Sequence, residues 1–177
     1  MVGTIKVGKL QAADGTGNTI SLESGHSLHA PGHVVQTQFH TFSTLTNTTS
    51  SSYIDVGGSS FTFTPKFSSS VLYISYSVHA YTYRSEDDNG GSVDINVDGS
   101  NISASGDERE MMIGIGGASS IAVFTRLHKE VTVNASNTNA KTIKLQMQNN
   151  TSSNSGGFRI SDGSNYTNSI KVQEVAQ

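Results

Sequence analysis

The sequence predicts an all-β protein whose strands stack as a sandwich or barrel, and three observations point there. First, only 34% of the 177 residues are hydrophobic and 14% charged, so Ser, Thr, Asn and Gly make up much of the rest. Ser, Thr and Asn compete for backbone hydrogen bonds in local turns, and Gly and β-branched residues lose entropy in a helix. Second, apolar residues recur at every second position in nearly every segment, while no window of adequate length carries the i, i+3, i+4, i+7 stripe of a helix. Third, turn signals separate these segments at about the spacing of a sandwich or barrel. A chain of this length suits one domain around one core, burying about 70% of its unfolded surface.

Residues 1–32 differ from the rest of the chain. GTIKVGKLQ from Gly3 and GNTISLESG from Gly17 are short alternating pieces around the turn-like ADGTG. Ile5, Val7, Ile20 and Leu22 can form an apolar face, but four such side chains cannot make a core. The segment is therefore expected to pack on the main domain, a sister chain or another protein; a plain edge hairpin on the same domain is the simplest alternative. The connector SGHSLHAPGH then leads to His33 and a domain over residues 33–177.

From Val34 the alternating segments are VVQTQFHTFSTL, SYIDVGG, SFTFTP, VLYISYSVHAYTYR, SVDINV, NISAS, REMMIGI, SSIAVFTRLHKEVTV, TIKLQMQ, GFRIS and SIKVQEV. In SFTFTP, Phe61 and Phe63 point one way and Thr62 and Thr64 the other, and Pro65, which cannot donate to a ladder, ends the strand. In the long strand, Leu72, Ile74, Tyr76, Val78, Ala80 and Thr82 share a face that belongs in a core. Tyr73, Ser75, Ser77, His79, Tyr81 and Tyr83 share the other, the mix of a surface that is wet or touches a partner. Burying one leucine or isoleucine is worth about 1.5–3 kcal/mol, so a one-residue register slip is strongly opposed.

Several function classes are disfavoured. The net charge is -3 and the pI about 6.0, and the 11 basic residues are scattered singly, so no basic stripe for nucleic acid forms. No run approaches the roughly 18 apolar residues that span a membrane, and VGTIKVGKLQ lacks the pattern of a signal peptide, so neither membrane insertion nor ordinary secretion is expected. With no cysteine, stability must come from packing or assembly, with no disulfide or thiolate chemistry.

The constellations that carry chemistry elsewhere have plainer readings here. DINVDG from Asp94 opens like a calcium loop, but the closing glutamate would fall at Ser105; on a strand, Asp94, Asn96 and Asp98 form a solvent face opposite Val93, Ile95 and Val97, and Asp98-Gly99 starts a hairpin turn. His26, His29 and His33 crowd the connector, where Pro31 and Gly32 interrupt any regular ligand spacing. Glu86, Asp87 and Asp88 before Asn89-Gly90-Gly91 make an acidic loop tip, and Asp107, Glu108, Arg109 and Glu110 read as an exposed loop. GIGGASS from Gly114 has no helix after it to cradle phosphate. No nucleophile elbow accompanies the abundant serines. No metal, cofactor or catalytic residue is expected.

Three motifs carry a family resemblance. Thr64, Pro65, Lys66, Ser68, Ser69 and Ser70 form a T-P-K-x-S-S-S turn after a strand, Val97, Asp98 and Gly99 a V-D-G turn, and Ile170, Val172 and Glu174 an I-x-V-x-E-like final strand. In this order they resemble a β-sandwich domain of small virion structural and fibre proteins of tailed, mostly marine, bacteriophages. The resemblance implies a jelly-roll sandwich with a short N-terminal β arm, located in the virion and not an enzyme. It further implies a homotrimer attached to phage capsid or tail proteins as a decoration protein or short fibre. Attachment is then expected through Ile5, Val7, Leu10, Ile20 and Leu22. The alternative makes the domain a receptor-binding tip in which Tyr81, Tyr83, Glu86, Asp87 and Asp88 contact host surface glycan, although the chain contains no Trp to stack on sugar. A polysaccharide-degrading fibre domain is a third reading, set back by the absence of any repetitive shaft.

Overall fold

The computed structural model describes residues 30–84, 89–102, 111–113, 121–150, 156–161 and 166–177. Among them are twelve strands, all paired antiparallel, and no helix. Ile5, Val7, Leu10, Ile20 and Leu22, with Glu86, Asp87 and Asp88, lie outside the described residues, as do residues 103–110 and 114–120.

The alternation pattern places β5 (Val71–Arg84) as the spine of the first sheet. β9 (Ile121–Asn134) runs along one edge of it for the full 14 residues. On its other edge β12 (Asn168–Val175) pairs with Val71–Ser77 and β11 (Gly156–Ile160) with Ala80–Arg84. Outside these lie β1 (Val34–Phe42) against β12 and β2 (Thr46–Thr48) against β11. In the second sheet β10 (Lys141–Asn149) is flanked on one side by β3 (Ile54–Asp55) and β4 (Phe61–Phe63), and on the other by β6 (Asn89–Val97). β6 in turn carries β7 (Ser100–Asn101) and β8 (Met111–Ile113). Broken strands that continue one another thus share a lane, and each sheet has four lanes. Numbered along the chain, the lanes read 1-8-3-6 in one sheet and 2-7-4-5 in the other. That order is the double Greek key of a jelly roll.

The inward faces match the sequence expectation. Leu72, Ile74, Tyr76, Val78, Ala80 and Thr82 are all essentially buried, against Val93, Ile95 and Val97 of β6, Ile143, Leu145 and Met147 of β10, and Phe158, Ile160, Ile170 and Val172. Tyr76 keeps its polar end satisfied by donating its hydroxyl to the Val93 carbonyl across the sheets, at 3.2 Å. Phe158 lies directly on the backbone of β6: a Cβ on Gly91 would stand 2.1 Å from its ring, which explains the glycine inside that strand. β4 stops at Phe63, before Pro65. Asp98 and Gly99, with φ of 51° and 89°, form the tight turn between Val97 and Ser100, as an Asp-Gly pair in a two-residue hairpin requires.

Two sequence expectations need correction. Strand bounds differ: only Ile54–Asp55 of SYIDVGG is strand, Ser100–Asn101 begins one residue before NISAS, and β2 over Thr46–Thr48 lies beyond the alternating run that ends at Leu45. The expected solvent face of β6 is also buried at Asp94 and Asn96, 1% and 2% exposed; only Asp98 in the turn is open. β6 is an inner strand, and longer amides from both sides close over its short polar side chains. Asn96 donates to Asn101 Oδ1 and Gln146 Oε1, and Ser92 to Asn150 Oδ1, while Gln148 also donates to Asn150. At the rim of this face Lys144 and Gln146 donate to Asp55 and hold its carboxyl below the usual carboxylate range.

Two polar devices fasten the sheets together. Along the seam between edge strands β1 and β4, alternate inward side chains of β1 take carbonyls that a sheet edge would otherwise leave open. Gln36 Nε2 donates to Thr64 O, Gln38 Nε2 to Thr62 O, and His40 Nε2 to Gly58 O, while the His40 ring stacks on Phe61 at 4.8 Å. The second device is Glu174, fully buried on β12. Its carboxylate accepts the backbone N–H of Lys66 and of Phe67 at 2.9 Å, the Ser70 hydroxyl at 2.6 Å and Gln36 Nε2 at 2.6 Å. Burial opposes the charge, but the hydrogen bonds from Ser70, Lys66, Phe67 and Gln36 outweigh it and hold the carboxyl below its ordinary value. The T-P-K-x-S-S-S turn and the final strand are therefore tied by one buried carboxylate.

The ends of the domain meet at one corner. Gly32 N–H donates to Ala176 O at 2.8 Å and Ala176 N–H to His33 O at 2.9 Å, beside the Val34–Val175 rung.

Candidate functional site

The outer face of β5 changes character along its length. Near the joined chain ends it presents Tyr73, Ser75 and Ser77, flanked by Lys171 and Gln173 of β12 and by His128, Glu130 and Thr132 of β9. At the other end the register sets His79, Tyr81 and Tyr83 among large neighbours. One rung aligns Arg159 of β11, Tyr81 and Phe124 of β9; the next aligns Gly157, Tyr83 and Ala122; the one before pairs His79 with Arg126.

These side chains touch. Tyr81 and Phe124 rings lie 4.5 Å apart and Tyr81 and Tyr83 5.7 Å apart. His79 is stacked on Tyr166 at 3.9 Å and tilted against Phe124 at 6.0 Å. The Arg159 guanidinium sits over both tyrosines, 4.8 Å from the Tyr83 centroid and 5.3 Å from that of Tyr81, and its Nε donates to Asn47 Oδ1 on β2. Phe124 remains 51% exposed and Tyr166 38%, so the group is a surface and not an extension of the core. Tyr83 lies across Gly157, where a Cβ would stand 2.6 Å from its hydroxyl.

The break between β11 and β12 supports the same end. No strand residue lies opposite the His79 N–H there, and the buried Asn168 fills the gap by accepting it on Oδ1 at 2.8 Å while its Nδ2 donates to Ser161 Oγ. The Ser161 N–H donates to His79 O. His79 is thereby fixed in the plane of the sheet while its ring faces outward.

Of the contact residues the sequence suggests, Tyr81 and Tyr83 stand together at this end. His79, Phe124, Tyr166, Arg126 and Arg159 join them without having been expected as binding residues. They come from three strands and a loop, and only the cross-strand register joins them; the one local signal is Phe124 alternating with Val123 in a strand. Among the described residues no group of His, Asp or Glu is placed to hold a metal ion.

The class of molecule these observations define is an antiparallel jelly-roll sandwich with an aromatic patch at one end of one sheet. No protein-family model matches the chain, and no curated protein does. Among solved structures it is similar to one described as the structure of infectious bursal disease virus Gx strain, with 14% sequence identity and a TM-score of 0.31 over 90% of this chain and 42% of that chain. The chain thus spans less than half the length of that neighbour.

Proposed function

We propose that the chain is a non-enzymatic structural protein of a virus particle, of the tailed-phage decoration or short-fibre type, anchored through residues 1–32. The observation that carries this reading is the polarity of the domain. The chain enters at the corner where Gly32 and His33 bond Ala176, while the aromatic patch lies at the opposite end of β5. From Val71 to Tyr81 is about 33 Å at ~3.3 Å per residue. A module held at one end and displaying a contact surface at the other suits attachment to a particle. The resemblance supports it further, because its three motifs are fixings of this fold: the Lys66–Ser70 turn and Glu174 in the carboxylate cage, and Asp98-Gly99 in the hairpin.

A homotrimer belongs to the same proposal, with the alternating apolar residues of 1–32 finding their burial between subunits. Deleting residues 1–32 should leave a folded domain that no longer joins particles and no longer trimerises. Light scattering and co-sedimentation with particles test this; a truncated protein that still assembles would refute the anchor.

A second reading, a receptor-binding tip for host surface glycan, is favoured by the aromatic patch itself. Phe124, half exposed beside Tyr81 and Tyr83, offers apolar surface for a sugar ring, and Arg159 offers donors to its oxygens. Immobilised host glycans should retain the full-length chain and lose it on Phe124→Ala if this reading holds.

A further inference from the structure

We infer that the aromatic end of the first sheet takes an acidic carbohydrate, a sugar bearing a carboxylate, and that Arg159 is the residue that recognises the acid group. The inference rests on the glycan-binding reading and narrows it to one chemical class.

Arg159 donates its Nε to a neutral amide, Asn47, and lies over two tyrosine rings. Arg126 donates to the Ser77 hydroxyl and to the Thr167 carbonyl. Neither faces a carboxylate among the described residues, whose ion pairs join Lys141 to Asp98 and Lys144 to Asp55 on the other sheet. On the outer face of the first sheet the only described acidic residue is Glu130. It lies four residues beyond Arg126 toward the chain ends, about 13 Å away at ~3.3 Å per residue. The described part of that face carries Arg126, Arg159 and Lys171 against Glu130, so the charges around Arg159 among the described residues favour an anion.

Geometry then selects the kind of anion. A guanidinium lodged over two rings with its Nε committed to Asn47 keeps two amino groups with which it can meet a carboxylate in parallel hydrogen bonds. Beside it, the half-exposed Phe124, packed against Tyr81, offers aromatic surface that can bury the C–H face of a pyranose. Adjacent strands lie ~4.8 Å apart and alternate residues ~6.7 Å, so the patch from Arg159 to Phe124 and from His79 to Tyr83 measures about 10 by 13 Å. One or two sugar rings fit that area.

The test uses the full-length protein on an array of uronate- and sialate-bearing oligosaccharides, each printed beside its counterpart with the carboxyl reduced to an alcohol. The expected result is retention of an acidic oligosaccharide at least tenfold tighter than its reduced form, with the difference erased in Arg159→Gln and partly kept in Arg159→Lys. Phe124→Ala, at an exposed position, should weaken both forms. Equal binding of acidic and reduced forms overturns the acid specificity while leaving the glycan reading intact, and so does an Arg159→Gln protein that still discriminates. Retention of neither form overturns both, as does self-association through this face that Phe124→Ala abolishes.

Discussion

Glu174→Gln is the substitution whose consequence can be followed furthest. The carboxylate is fully buried and faces donors only: the Ser70 hydroxyl, the Gln36 amide and the N–H groups of Lys66 and Phe67. Glutamine keeps the size and one oxygen, but turns an –NH2 toward those donors. Bonds to a charged acceptor are worth about 1.5–3 kcal/mol against 0.5–1.5 for neutral ones, and a buried donor left unmet costs about 1–3. Losing the charge on two such bonds and stranding one donor gives about 3 kcal/mol, out of a total stability of about 5–15 for a domain. Gln36 cannot simply flip its amide, because the same Nε2 also donates to Thr64 O.

The pH dependence has a definite sign. The folded carboxyl titrates below its ordinary value of 4.5, so the unfolded chain binds the proton more readily. The stabilisation is therefore fully present above about 4.5 and is lost as the pH falls through the folded value. Urea unfolding of both proteins, followed from neutral pH to about pH 3, should show a gap of roughly 3 kcal/mol that narrows steadily below about 4.5. A Gln variant as stable as the parent at neutral pH, or a gap that stays constant on acidification, would refute the account of the cage.

Two further substitutions probe the backbone. Gly91→Ala should cost about 1–3 kcal/mol by forcing Phe158 off the β6 backbone, and the cost should shrink in a Phe158→Leu background, measured as a double-mutant cycle in urea. Gly99→Ala should cost about 1–2 kcal/mol, because Gly99 holds a φ of 89° in the hairpin turn; an unchanged melting temperature would contradict the turn assignment.

The architecture was largely legible because β5, β10 and β12 alternate strictly, and their inward residues are the core. What sequence could not supply was lane order. Asp94 and Asn96 read as a wet face because period two distinguishes one face from the other without telling an inner strand from an edge. Glu174 was visible only as the last letter of a motif, since its donors lie more than 100 residues away. Tyr81 and Tyr83 announced themselves as aromatics on an outward face. Arg159, sitting between Phe158 and Ile160 in GFRIS, became meaningful only when the register brought it beside them.

The corner where Gly32 and His33 meet Ala176 also decides how the domain bears load. Tension between residue 33 and Gln177 would open the β1–β12 ladder from its Val34–Val175 rung, one rung at a time, like a zip. A pull between the same corner and something gripped at Tyr81 runs lengthwise along the strands instead, so that many rungs must shear together. A tether at the N-terminal end and cargo at the aromatic end would thus strain the sandwich in its stiffest direction, whereas a payload fused at Gln177 would crowd the tether and peel the weakest seam.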